Sequence, residues 1–249
     1  MRIINTRPQP DAGSLTQALE SLGHEVIIAP ILEIEFSSGL GMLNLDGVQA
    51  VLATSANGVR ALARLSSHKK TLLMTVGDAT ARMAEELGFS NVFSAAGDVT
   101  ALASAVKSVC DPSGDELLHV AGTKVAGNLV GVLQDAGFSV RRINAYQARV
   151  VDILPLPVAS ALKSRKADAV VFFSPRTART FVRLLSEAGL AKTCHMLNVY
   201  CLSPAVATEI CELSWRALYT ASQPNQESLL HCLLQNPLPS DPVSQACLS

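Results

Sequence analysis

The chain has 249 residues, 49% of them hydrophobic and 16% charged, with a formal net charge of −1. That is enough apolar material for one large domain or two small ones, and the near-neutral charge, with no basic block, argues against nucleic acid as a partner. No apolar run approaches the roughly 20 residues that span a bilayer, and the start, MRIINTRPQP, lacks a secretory h-region, so the expectation is a cytoplasmic protein with no membrane partner.

In chain order, strand-like runs fall at RIIN (2–5), HEVIIAP (24–30), AVLAT (50–54), TLLMTV (71–76), ELLHVA (116–121), SVRRINAY (139–146), AVVFF (169–173) and NVYCL (198–202). Helix-like segments separate most of them. This alternation predicts an α/β fold built on parallel sheets. The unbroken apolar character of AVVFF fits a strand covered on both faces. The helix predicted from Pro175 carries Ala178, Phe181, Val182 and Leu185 at i, i+3, i+4 and i+7, a core-facing stripe. Arg179 and Arg183 are expected to face solvent. The tail QNPLPSDPVSQACLS (235–249) holds three prolines and no periodicity, and is expected to be poorly ordered.

The chain echoes itself at about half its length. VLATSANGVRAL (51–62) matches VVFFSPRTARTF (170–181), TVGDATARMAEELG (75–88) matches YCLSPAVATEICEL (200–213), and SLTQALESLGHEV (14–26) matches NLVGVLQDAGFSV (128–140). Three pairs in compatible order predict two related α/β domains.

Chemistry is sought where strands hand over to helices. Ser174-Pro175 and Ser203-Pro204 read as cap plus first helical position; Thr54-Ser55 and Asp78 fit the same role, Thr6-Arg7-Pro8 follows the first strand, and Gly122-Thr123-Lys124 follows ELLHVA. Two readings of these turns stand side by side. One is plain helix capping. The other is anion binding by exposed N–H groups, favoured by Arg7, Lys124 and Arg176, cations placed where the helix dipole disfavours them. Equally, GxGxxG, GxxxxGK[ST] and GxSxG are all absent. The six cysteines form no CxxC pair and the five histidines are scattered, so neither a metal nor another cofactor is expected.

Taken together in order, TRP, TSANGV, VGDATA, the LxxxGxxV segment ending in Tyr146, FFSP and SPAVA resemble the uroporphyrinogen-III synthase family over most of the chain. The resemblance implies two flavodoxin- or Rossmann-like domains joined by a two-stranded β linker. Residues 1–34 and 150–249 would form a discontinuous domain and 38–145 an inserted one, with crossings at 35–37 and 146–149. It implies cyclisation of the linear tetrapyrrole hydroxymethylbilane to uroporphyrinogen III, with loss of water and inversion of the last pyrrole ring, and no cofactor. Tyr146 would orient or protonate the departing hydroxyl. Arg7, Ser55, Thr80 and Ser174 would bind substrate carboxylates, with Lys124, Arg176 and Ser203 from the turns above. Hydroxymethylbilane synthase would be the transient donor, and the chain a monomer. Two departures stand out: Ala126 replaces a frequent arginine, for which Lys124 could substitute, and Val206 replaces a threonine. They keep open an alternative, a two-domain binding or sensing module for an acidic small molecule.

Overall fold

The computed structural model describes residues 1–125 and 127–238. They fold as two compact units, one made of Met1–Glu33 and the chain from Arg149 onward, the other of Ile34–Ala148. The first unit opens with β1 (Arg2–Asn5), α1 (Gln9–Ser21) and β2 (Glu25–Ile28), and β3 (Leu32–Phe36) leads into the second. There β4 (Val48–Ala53), α2 (Ala56–Leu65), β5 (Leu73–Thr75), α3 (Asp78–Glu86), β6 (Val92–Ser94), α4 (Val99–Val109), β7 (Glu116–Gly122) and α5 (Leu129–Gln134) alternate. Strand β8 (Val140–Val150) returns to the first unit. That unit continues with α6 (Leu156–Lys163), β9 (Ala169–Phe172), α7 (Pro175–Glu187) and a 3-10 turn at Ala191–Met196. It closes with β10 (Asn198–Cys201), α8 (Pro204–Thr208), β11 (Ala217–Thr220) and α9 (Gln226–Gln235).

The first unit's sheet runs β11-β10-β9-β1-β2, every pair parallel. The second runs β3-β8-β7-β4-β5-β6, parallel from β8 to β6. Strands β3 and β8 run in opposite directions, because Ser37 N–H donates to Ala145 O while Val151 N–H donates to Ile31 O. Both crossings between units lie on this one antiparallel pair. The internal echoes align β4 with β9, β5 with β10 and β8 with β2. Completing the match with β6 to β11 and β7 to β1 turns β6-β5-β4-β7-β8 into β11-β10-β9-β1-β2. Apart from the added edge strand β3, the two sheets therefore share one strand order, with the chain entering at a different strand. That is a circular permutation.

Strand periodicity assigns each side chain to one of two cores. In the first unit Ile4, Val170, Phe172, Val199 and Cys201 face α6 and α7, while Ile3, Ala169, Val171 and Tyr200 face α1 and α9. In the second, Val51, Ala53, Leu118 and Val120 pack with α2, and Ala50, Leu52 and Leu117 pack with α4 and α5. The stripe expected on α7 is buried as read, and Phe181 meets Phe172 edge-on at 5.2 Å between ring centroids. Arg179 and Arg183 are exposed and pair with Glu209 and Glu187. At the end of α9, the tail expected to be loose from 235 is held at its start. Gln235 closes the helix and Tyr200 Oη donates to the carbonyl of Asn236; residues 239–249 lie outside the described residues. Among the described residues, no helix is long and apolar enough to cross a membrane.

One buried group makes stability pH-dependent. His119, in β7, is 2% exposed and neither ring nitrogen has a hydrogen-bond partner. Burial, helped by the nearby Arg142 charge, lowers its pKa from 6.5 to about 4. The unfolded chain thus binds a proton that the folded chain refuses, so stability falls as pH drops through this window. At about pH 4.5 the loss is about 2–3 kcal/mol relative to about pH 7.5. Urea unfolding of the wild type and of His119→Leu at the two pH values measures it, and the substitution is expected to remove this share of the difference.

Candidate active site

Open α/β sheets bind ligands beyond the carboxyl ends of their strands, at the point where the strand order reverses. That point lies between β4 and β7 in the second unit, and between β9 and β1 in the first. Equivalent strands flank both.

In the second unit, β4 delivers Ser55 in an extended conformation (φ −160°, ψ 159°) as the cap of α2. Its Oγ accepts the Gly58 N–H at 3.3 Å, satisfying one of the donors that a helix start leaves unpaired. Gly58 has a second task. A Cβ there would sit 2.7 Å from the Val120 carbonyl oxygen, so only glycine lets α2 start this close to β7. Opposite, β8 places Tyr146 in register with Gly122, the last residue of β7. The phenol ring lies against Gly122, where a Cβ would come within 2.9 Å of Cε2 and Cζ. This brings the Tyr146 hydroxyl to 2.7 Å from Ser55 Oγ. The surrounding backbone is pinned. Thr123 N–H donates to the Tyr146 carbonyl at 3.0 Å, and the Arg142 guanidinium donates to the carbonyls of Gly122 (2.8 Å) and Thr123 (3.3 Å). Two hydroxyls predicted from separate motifs thus form one hydrogen-bonded pair at the switch point.

The other expected residues of this unit are placed differently. Thr80 lies in the first turn of α3 and is only 8% exposed. Asp78 does not cap α3. Gly77 holds the cap position, and the Asp78 carboxylate accepts the Ser94 hydroxyl at 2.7 Å. Lys124 is exposed but stands in no helix's first turn: α5 begins at Leu129, capped by Asn128. The dipole argument for Lys124 is therefore corrected, because the connection after β7 is longer than its glycines suggest. Ala126 lies outside the described residues.

In the first unit, β1 ends at Asn5, two residues before Arg7, and β9 ends just before Phe173. The Arg7 guanidinium stacks over the Phe173 ring, 4.3 Å from its centroid, donates to Gln226 Oε1 at 2.8 Å and pairs with Asp11 at 3.7 Å. Asp11 sits in the first turn of α1. An acid of the chain itself therefore offsets both the misplaced cation and the helix dipole. Ser174 caps α7 as expected, accepting Thr177 N–H at 3.2 Å, with its hydroxyl 2.8 Å from Thr177 Oγ1. Arg176 is half-buried in the same turn, and its carbonyl accepts the Thr180 hydroxyl. Ser203 stands at the cap position of α8 but makes no side-chain cap hydrogen bond, correcting that expectation. Val206 is 1% exposed within the unit's core. The threonine-to-valine departure is thus a packing residue.

The sequence marks Gly122 as a turn residue but not its packing against the Tyr146 ring, and it gives no sign of Arg142 or of the close approach at Gly58. The only available signal was a glycine at the end of an apolar strand. What it serves depends on the register of β7 against β8, which local patterns do not carry.

The family model described as uroporphyrinogen-III synthase HemD matches residues 13–231. The chain belongs to the uroporphyrinogen-III synthase family. Membership carries the reaction, cyclisation of hydroxymethylbilane in tetrapyrrole biosynthesis, and the matched segment includes Ser55, Tyr146 and Ser174 but not Arg7. No curated protein sequence matches the chain. Among solved structures, uroporphyrinogen-III synthetase from Helicobacter pylori is similar at 15% identity, with a TM-score of 0.62, covering 94% of this chain and 99% of that one. A mutant uroporphyrinogen III synthase from the extremely thermophilic bacterium Thermus thermophilus is similar at 17% identity, with a TM-score of 0.52, covering 94% and 98%. At these identities the two structures speak for the family's two-domain α/β fold.

Proposed function

We propose that this chain closes hydroxymethylbilane to uroporphyrinogen III using the Tyr146 hydroxyl as the group that assists departure of the substrate's hydroxyl. The observation that carries the assignment is the Ser55–Tyr146 hydroxyl pair at the switch point, 2.7 Å apart. A phenol O–H can donate a hydrogen bond to the departing oxygen. Departure of water leaves an electron-rich pyrrole cation, so the bond-breaking step is intrinsically easy. The harder task is conformational, holding the chain so that the inverted closure outruns the spontaneous uninverted one.

Substrate carboxylates would be held by the helix N-termini and hydroxyls at the strand ends. Ser174 and Arg176 serve this in the first unit, with Ser203 and Arg7. In the second unit the Thr80 hydroxyl in the first turn of α3 serves it, with the exposed ammonium of Lys124 from the connection after β7. The reading takes the chain as a monomer that receives its substrate from hydroxymethylbilane synthase in the cytoplasm. The five free cysteines among the described residues fit a reducing compartment.

The test is direct. Hydroxymethylbilane is supplied, the products are oxidised, and the porphyrin isomers are separated. Isomer III well above the uncatalysed background is expected. Isomer I alone, at the uncatalysed rate, would overturn the reading in favour of a binding module.

A further inference from the structure

The role of Tyr146 leaves open why its hydroxyl should meet a helix cap. Ser55 Oγ lies between two groups. On one side the Gly58 N–H, at the positive end of α2, donates to it at 3.3 Å; on the other lies the Tyr146 hydroxyl at 2.7 Å. If capping were the whole role of Ser55, any residue that caps well would serve. The phenol would then need no fixed partner. Instead the ring is located from three directions: by the missing side chain at Gly122, by the Thr123 N–H on its own carbonyl, and by Ser55 at its tip.

We infer that Ser55 is a positioning residue, donating its own proton to Tyr146 Oη and so turning the phenol proton away from α2 and toward the substrate. The inference rests on the proposed role of Tyr146. Ser55 Oγ already accepts the Gly58 N–H, which leaves its O–H free to donate. The N-terminal end of α2 is thereby coupled through one hydroxyl to the phenol oxygen. As the C–O bond of the substrate breaks, its electron pair stays on the leaving oxygen, which takes the Tyr146 proton and departs as water. Negative charge then builds on Tyr146 Oη, where the Ser55 hydrogen bond strengthens. The phenol recovers its proton from the pyrrole α-carbon that loses one when the ring closes. The net change is loss of one water, and both hydroxyls return to their starting state.

Two substitutions separate this role from capping. Relative to serine, glycine at a cap position disturbs the helix far less than alanine does. Formation of isomer III is followed for Ser55→Gly, Ser55→Ala, Ser55→Thr, Tyr146→Phe and the Ser55→Gly/Tyr146→Phe double variant, with thermal unfolding of each. Both Ser55→Gly and Ser55→Ala are expected to lower kcat by roughly 10–100-fold with KM within about threefold, and Ser55→Thr to recover most of it. In the Tyr146→Phe background, Ser55→Gly is expected to change kcat by less than about twofold, because the pair acts as a unit. Ser55→Gly with wild-type kcat would overturn the inference and leave Ser55 a helix cap. An equal loss from Ser55→Gly in both backgrounds would overturn it while leaving the Tyr146 role intact. Wild-type kcat in Tyr146→Phe would overturn both.

Discussion

Tyr146→Phe is expected to lower the rate of isomer III formation by about 100-fold or more, the range of a lost proton donor. KM should change by less than about threefold, since the hydroxyl acts as the C–O bond breaks. The fold should survive, because the ring packs against the core of the second unit through its apolar faces and keeps its place over Gly122. Only the 2.7 Å hydrogen bond to Ser55 is lost, worth about 1 kcal/mol. With enzymatic closure slowed, substrate escapes to spontaneous closure, so the fraction of isomer I should rise. Chromatographic separation of the oxidised products reads the rate and the ratio together. An unchanged isomer ratio at wild-type rate would remove Tyr146 from the reaction.

Gly58→Ala is expected to damage both stability and activity. The added Cβ would lie 2.7 Å from the carbonyl oxygen of Val120, a backbone atom in a strand paired on both sides. The strand cannot give way, so the first turn of α2 must move. Overpacking of this kind costs about 1–3 kcal/mol. The movement also pulls the Gly58 N–H from Ser55 Oγ and shifts Ser55 from Tyr146. Loss of kcat should therefore accompany the drop in thermal midpoint. Gly13→Ala is the control. It lies inside α1 with no heavy atom within 4 Å of the new Cβ, and is expected to stabilise by about 0.5–1 kcal/mol without affecting activity. Equal effects from the two substitutions would contradict the close packing of α2 on β7.

The strands that local patterns failed to reveal share a position. β3, β6 and β11 were not among the expected runs, and all three are edge strands of their sheets. Their burial patterns are mostly intermediate, because an edge strand has a neighbour on one side only. Short, half-exposed segments such as VFS and ALYT carry too little apolar periodicity to stand out. Central strands such as AVVF are buried at every residue, and their unbroken apolar runs were visible at once. The caps divide in the same way. Ser55 and Ser174 were legible because a cap is an i to i+3 hydrogen bond between a short polar side chain and the next turn. Lys124 was misplaced because nothing local measured the length of the connection from β7 to α5.

Residue order alone specified the α/β class, the buried stripe of α7, the caps at Ser55 and Ser174 and, through ordered short motifs, the family to which the chain belongs. These rest on periodicity and on contacts a few residues long, which propensity and hydrogen-bond geometry specify locally. The folded arrangement was needed to establish that the two sheets share one permuted strand order, that Gly122 makes room for the Tyr146 ring, and that Ser55 meets the Tyr146 hydroxyl across 91 residues of chain. That meeting depends on which strands lie side by side and in what register. Strand order and register follow from burying both faces of the sheet at once, a condition that no short window of sequence contains.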